Sequence, residues 1–265
     1  MAQRVSGLLL TPLYRVYTDR LRREVRRAPV PEHVAVILDG NRRFATEARL
    51  ASVDEGHRRG ADKIDELLDW CAELGIAEVT LWALSGENLA RRSDELSSLF
   101  DVVAGKLDEL TARAARPGHG MRIRVFGRFD GLPARLLAAI EAAEAATARH
   151  EGLRLNIALG YSGRDELVDA CRSLVRQLAA EGVAAAEMAK QVNGDVLAAH
   201  LYTAGRPDPD LIIRTSGELR LSGFLPWQSA HSEFYFTDVY WPAFRELDFL
   251  RALRTFQQRE RRFGL

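Results

Sequence analysis

Asp39-Gly40-Asn41-Arg42-Arg43-Phe44 follows directly on Val34-Ala35-Val36-Ile37-Leu38, an apolar run that reads as a buried strand. A carboxylate, a glycine, an amide and two guanidinium groups at a strand end suit an anionic ligand. Gly40 lets backbone approach a phosphate closely. The N–H groups after it could open a helix and point at the oxygens. Arg43 offers a planar fork of donors, and Asp39 could hold a divalent cation against the same oxygens. Asp-Gly and Asn are also ordinary turn chemistry, so this stretch alone leaves a plain turn open.

Two more polar clusters follow apolar runs. Ser85-Gly86-Glu87-Asn88-Leu89 comes after one, and Arg214-Thr215-Ser216-Gly217-Glu218-Leu219-Arg220-Leu221-Ser222-Gly223 after another. The arginines, serines and glycines of the latter suit a diphosphate cradle, against the alternative of a solvated loop. Glu233 opens the apolar run Glu233-Phe234-Tyr235-Phe236, where an unpaired carboxylate is costly. A cation or an arginine would offset that cost. His57, beside Arg58, could donate to phosphate, although a lone surface histidine is the commoner case.

The elements that must position these residues alternate along the chain. Strands are predicted at His33–Leu38, Glu78–Leu84, Met121–Phe126, Leu153–Leu159, Asp210–Ile213 and Glu233–Phe236. Helices are predicted near His57–Leu74, Ser93–Arg116, Pro133–His150, Arg164–Glu181 and Phe244–Arg259. Alternation of this kind argues for one α/β domain, residues 31–265, around a central, mostly parallel six-stranded sheet flanked by helices. Ligands in such sheets bind beyond the carboxyl ends of the strands, where all three clusters fall. Residues 1–30 form a separate amphipathic basic arm. It either lies on an anionic membrane surface or docks on its own domain or a partner subunit.

The 265 residues are 47% apolar, and 37 basic residues balance 37 acidic ones. A zero net charge gives no global field for nucleic acid. Lys63, Lys106 and Lys190 are the only lysines, so the remaining basic residues are arginines. Cys71 and Cys171 read as free, buried thiols of a cytoplasmic protein. No Walker A run, no GxGxxG after the first strand, no CxxC or HExxH site and no adjacent Asp pair occurs. Magnesium, if used, must be held by isolated carboxylates plus substrate phosphates.

His33 to Phe44 resembles the first signature of the cis-prenyltransferases, the undecaprenyl diphosphate synthase family. Ser85-Gly86-Glu87-Asn88-Leu89 is similar to their Ser-x-Glu-Asn-Trp segment. Asp210 to Glu218, with Arg220, Leu221 and Ser222, resembles their isopentenyl diphosphate site. The resemblance implies a transferase that condenses isopentenyl diphosphate with geranyl or farnesyl diphosphate to a Z-configured product. By it, Asp39 would position Mg2+ on the allylic diphosphate, cradled by Gly40, Asn41, Arg42, Arg43 and Phe44 with help from His57. Asn88 would position the condensing substrate and its departing proton, with Ser85, Gly86, Glu87, Leu89 and Arg91 nearby. Arg214, Arg220, Leu221 and Ser222 would hold isopentenyl diphosphate. Glu233 would complete the metal site, within the chain or across a dimer. A homodimer is implied, with the Arg261-Arg262-Phe263-Gly264 ending reaching the partner's site.

Some positions depart from that pattern. Arg42 replaces a frequent glycine, Phe44 the usual tryptophan and Leu89 another aromatic. Asn-Arg-Arg, Glu-Asn-Leu and the N-terminal arm point to the short-chain actinobacterial branch that makes (2Z,6E)-farnesyl diphosphate. Trp82 or Leu84 is the expected floor of the product channel. Phe44 and Leu89 keep open an irregular coupling or cyclisation of allylic diphosphates on the same fold. A non-catalytic subunit of a heteromeric transferase is the other alternative, opposed by the presence of Asp39, Asn88, Arg214 and Glu233 together.

Overall fold

β1 (His33–Ile37), β2 (Glu78–Trp82) and β5 (Leu211–Arg214) are buried along their whole lengths, as strands covered on both faces must be. The computed structural model describes the backbone of residues 5–90 and 93–259, without the side chains of residues 5–13, 88, 90, 93 and 94. With β3 (Met121–Phe126), β4 (Leu153–Ala158) and β6 (Glu233–Phe236), the strands form one six-stranded sheet in the order β3-β4-β2-β1-β5-β6. Every pairing in it is parallel.

The two sheet faces differ. Val34, Val36, Val79 and Leu81 point to a large core shared with α3 (Val53–Leu74), α4 (Ser93–Ala114), α5 (Ala134–Thr147) and α9 (Glu246–Gln258). Ala35, Ile37, Trp82 and Ala158 point to a smaller, aromatic cluster that includes Tyr161 and Phe224. Trp82 and Phe224 stack there with centroids 5.1 Å apart. α3 is the amphipathic helix that its apolar spacing predicts. Ser52 caps its start by accepting from the Glu55 N–H, and Gly75, with φ of 76°, ends it. α6 (Gly163–Ala180) also follows prediction.

α2 (Asn41–Glu47) opens directly after Gly40, where the sequence left a helix start and a plain turn both open. Two helices were not predicted. α7 (Ala185–Gln191) and α8 (Gly194–Ala198) bury no residue, so they carry no apolar period to read. Cys171 is exposed, contrary to expectation, while Cys71 is buried. Burial pushes the Cys71 thiol far above its ordinary value.

The arm forms α1 (Val5–Val25), and its described end docks on the same chain. Leu21 and Val25 belong to the main core. Arg22 Nε donates to Glu246 on α9 at 2.7 Å, and Gln257 Nε2 donates to the Val25 carbonyl at 2.8 Å. The Arg245 guanidinium lies 5.2 Å from the Tyr14 ring centre. Among the described residues no helix is long and apolar enough to cross a membrane. Leu21 is 1% exposed. Leu21→Ala is therefore expected to cost about 2–5 kcal/mol, read as a lower urea midpoint with an unchanged slope.

Candidate active site

The three polar clusters follow three neighbouring strands. Ile37 on β1 pairs in register with Trp82 on β2 and with Arg214 on β5. The segments after Ile37, Trp82 and Arg214 therefore emerge side by side at the carboxyl end of the sheet. β2 lies on one side of β1 and β5 on the other, so the chain changes its direction of travel here, where α/β sheets open a crevice.

Asp39 is fixed through its backbone before its side chain acts. Its N–H donates to Thr215 Oγ1 at 3.0 Å, and Thr215 Oγ1 donates back to its carbonyl at 2.7 Å. The Trp241 N–H donates to the same carbonyl at 3.0 Å. Gly40 follows with φ of 102°, and a Cβ there would stand 2.7 Å from Tyr240 Cδ1. Gly60 of α3 is required for a different reason. A Cβ on it would meet Asn41 Oδ1 at 2.2 Å, so its absence lets α3 seat the start of α2.

The carboxylate of Asp39 faces arginines. Arg214 donates to Oδ2 at 2.9 Å, and Arg43 lies 3.5 Å from Oδ1. Burial acts to raise the Asp39 pKa, but bonds from Arg214 and Ser216 and the charges of Arg214 and Arg43 outweigh it, leaving the carboxyl below its usual range. Arg43 also donates to Ser216 Oγ at 2.7 Å and faces Glu218. Arg214 is 5% exposed and spends its second nitrogen on Ser222 Oγ at 2.9 Å and on the Arg220 carbonyl. Its Nε is buried with no partner among the described residues, as is Asn41 Oδ1. Buried polar atoms left in this state are uncommon, and the Arg214 donor suits an anionic ligand oxygen.

These groups line a cleft of about 760 Å³. Asp39, Gly40, Asn41, Arg42, Arg43, His57, Ser85, Glu87, Arg214, Arg220 and Ser222 all border it. His57 is buried, with Nε2 4.0 Å from Glu95, to which Arg42 also reaches at 3.4 Å. Beyond the polar mouth the lining becomes apolar, with Ile64 of α3 and Leu99, Val103, Leu107 and Leu110 of α4. α3 and α4 both run away from the carboxyl ends of the strands, so the apolar part is the deep part.

Other expected residues lie elsewhere. Glu233 starts β6 level with Leu211, while Phe236 is level with Arg214 and hence with Ile37. It sits roughly 10 Å before the level of Ile37, and Asp39 lies beyond that level in the opposite direction. Glu233 pairs with Arg259 instead. One chain thus does not join Glu233 to Asp39 in a metal site, because β6 presents its other end to the crevice. Phe44 does not line the cleft, and the Arg59 guanidinium stands over its ring. Leu89 packs on the main core and Leu221 on the aromatic cluster. Gly86 donates its N–H to the Tyr161 carbonyl. Leu84 is buried in the main core and does not border the cleft, whereas Trp82 does. The Asn88 side chain, Arg91 and the Arg261-Arg262-Phe263-Gly264 ending lie outside the described residues.

Thr215, Glu95, Tyr240 and Trp241 also build the site, and the motif reading assigned them no role, while Ser216 was read only as part of the cradle. Thr215 and Ser216 stood within a noted cluster. Tyr240 and Trp241 gave no local signal, because their contacts join segments remote in sequence.

Residues 37–264 match the family described as "Putative undecaprenyl diphosphate synthase". The chain belongs to this family of prenyltransferases. It is 54% identical to a (2Z,6E)-farnesyl diphosphate synthase of Thermobifida fusca over 97% of this chain and 99% of that one. It is 50% identical to an isoprenyl transferase of Thermus thermophilus over 97% of each. Its fold matches a lavandulyl diphosphate synthase from Lavandula x intermedia, solved with dimethylallyl diphosphate, with a TM-score of 0.83 and 33% identity over 89% of this chain and 99% of that one.

The Asp39 environment has a direct readout. Its carboxyl is expected to titrate below the ordinary aspartate range by carbon NMR, and Arg214→Ala is expected to raise that midpoint. A depressed folded-state pKa adds stability above the ordinary range, and this is lost as pH falls through the folded value.

Proposed function

We propose that this cleft joins isopentenyl diphosphate to an allylic diphosphate, geranyl or farnesyl, and releases a short Z-configured prenyl diphosphate. The carrying observation is the buried Arg214, bridging Asp39 and the Ser222 loop with Nε to spare, at the mouth of an apolar cleft. Two neighbouring anions at the mouth and a hydrocarbon chain within would satisfy both halves. A carbon–carbon bond forms between the terminal alkene carbon of isopentenyl diphosphate and the allylic carbon. The allylic carbon–oxygen bond breaks, diphosphate leaves with the electron pair, and the proton lost from the condensing substrate, whose C–H electrons form the new double bond, is taken up by a diphosphate oxygen.

Gly40, Asn41, Arg42 and Arg43 would cradle the allylic diphosphate, with His57 behind them. Arg214, Arg220 and Ser222 would hold isopentenyl diphosphate, and Ser85 and Asn88 would orient it. Among the described residues no group of three or more acidic, His or Cys side chains could hold a metal. The fit is thus to a cation that takes most of its ligands from substrate, as magnesium does. Asp39, kept ionised, would hold it, and the ion would supply charge for the departing diphosphate. The short product is supported by the identity to the Thermobifida enzyme, a (2Z,6E)-farnesyl diphosphate synthase by name.

A homodimer and a cytoplasmic location, peripheral to the inner face of the membrane, complete the reading. The edge strand β6, with side chains only partly buried, supports the first. The exposed Arg15, Arg20, Arg23, Arg26 and Arg27 of the arm support the second.

Mass spectrometry of products from labelled isopentenyl diphosphate, magnesium and either primer tests the reaction. A single farnesyl-length Z-product is expected. Primer binding without incorporation would favour irregular coupling or cyclisation, and no binding would favour a non-catalytic subunit. Asp39→Ala is expected to lower kcat by about 10²–10³-fold, and chelation of magnesium to abolish turnover.

A further inference from the structure

A second cavity, of about 720 Å³, lies on the outer side of the α3–α4 pair. It shares Ala61, Val102 and Lys106 with the cleft, so these residues form the partition between the two spaces. Ala61 is small, and Gly105, which lines the outer space alone, has no atom within 4 Å of where its Cβ would stand.

Lys106 strengthens the partition. The residue is 7% exposed and sits past the midpoint of α4, where the lining is already apolar. Its ammonium donates across to Asp65 of α3 at 3.0 Å and along its own helix to Glu109. Asp62 of α3 lies 3.8 Å away. Burial alone would lower the ammonium pKa, but Glu109 and Asp65 outweigh it and hold the group charged. Two turns on, Arg113 reaches Asp65 at 3.1 Å and Asp69 at 2.6 Å. Ion pairs thus latch α4 to α3 along the deep half of the cleft.

We propose that Lys106 is a specificity-determining residue that sets product length. Its stem walls the deep cleft, and its ammonium, latched to Asp65, stops the cleft from widening into the outer groove. A tail growing past this level must part the ammonium, itself buried, from Asp65, whose side chain is 37% exposed, and the cost is that of leaving a buried cation without its partner. The inference rests on the prenyl-transfer reading above.

The test compares product lengths by mass spectrometry for the wild type, Lys106→Met, Lys106→Arg and Asp65→Asn, with primer KM and thermal melting measured for each. Lys106→Met keeps the stem and drops the latch. It is expected to raise the fraction of longer products by about tenfold, the effect of ~1.4 kcal/mol at a branching step, with primer KM little changed. Asp65→Asn is expected to lengthen products with the lysine in place, and Lys106→Arg to keep them short. Wild-type product lengths from folded Lys106→Met and Asp65→Asn would overturn the proposal while leaving the prenyl-transfer reading intact. A wild type that makes no prenyl product would overturn that reading and this inference with it.

Discussion

The ion pair between Asp39 and Arg214 holds the site together. Asp39 stands past the end of β1 and Arg214 is the last residue of the neighbouring parallel strand β5, and their contact closes at 2.9 Å. Arg214 is nearly buried, and a buried guanidinium without a counter-charge is among the costlier defects a fold can carry. Asp39 removes that cost, and the arginine in turn keeps the carboxylate ionised despite partial burial. The other arm of the same guanidinium grips Ser222 and the Arg220 carbonyl, which shapes the loop after β5. Two loops that would otherwise be independent are thereby given one geometry. Neither proposed diphosphate position can shift without the other.

The sheet supplies the accuracy this pair needs. Parallel strands covered on both faces leave little freedom of register, since a slip of one residue would turn every apolar side chain to the wrong layer. Ile37, Trp82 and Arg214 are therefore level, and the segments after them start from a common plane. Gly40 and Gly60 then allow approaches that a methyl group would prevent. The depth of the cleft comes from a different source, the spacing of α3 and α4. Position at the mouth is thus set by strands, and capacity within by helices.

The sheet and the mouth of the site were largely legible from the sequence. Runs such as Val34–Leu38 and Leu211–Ile213 are apolar without alternation, which is what burial on both faces requires. A carboxylate or guanidinium just past such a run has few structural explanations, so Asp39 and Arg214 stood out. Glu233 is not joined to Asp39 within one chain, and a residue type with an apolar neighbourhood does not say which end of a strand faces the crevice. Its strand runs parallel to the others and begins at the far end. Leu84 misled because β2 ends at Trp82, so the alternation that would set it on the face of Trp82 does not continue, and it is buried in the main core. Cys171 fell on a helix whose apolar face is narrower than its pattern suggested. Tyr240, Trp241 and Lys106 were illegible as site residues because what matters about them is a contact with a distant segment or another helix.

The closure of Asp39 by Trp241 bears on how the protein is made. The first motif leaves the ribosome early, yet its backbone is held by Thr215 and Trp241, and Gly40 packs against Tyr240. A nascent chain that has delivered β1 to β4 already has four neighbouring strands to pair, but its first loop has nothing to lean on. Contacts between distant segments form only after the intervening chain has been ordered. The Asp39 turn is encoded well before the residues that set it. A chain truncated before Tyr240 would carry every residue of the first motif and lack the turn they form.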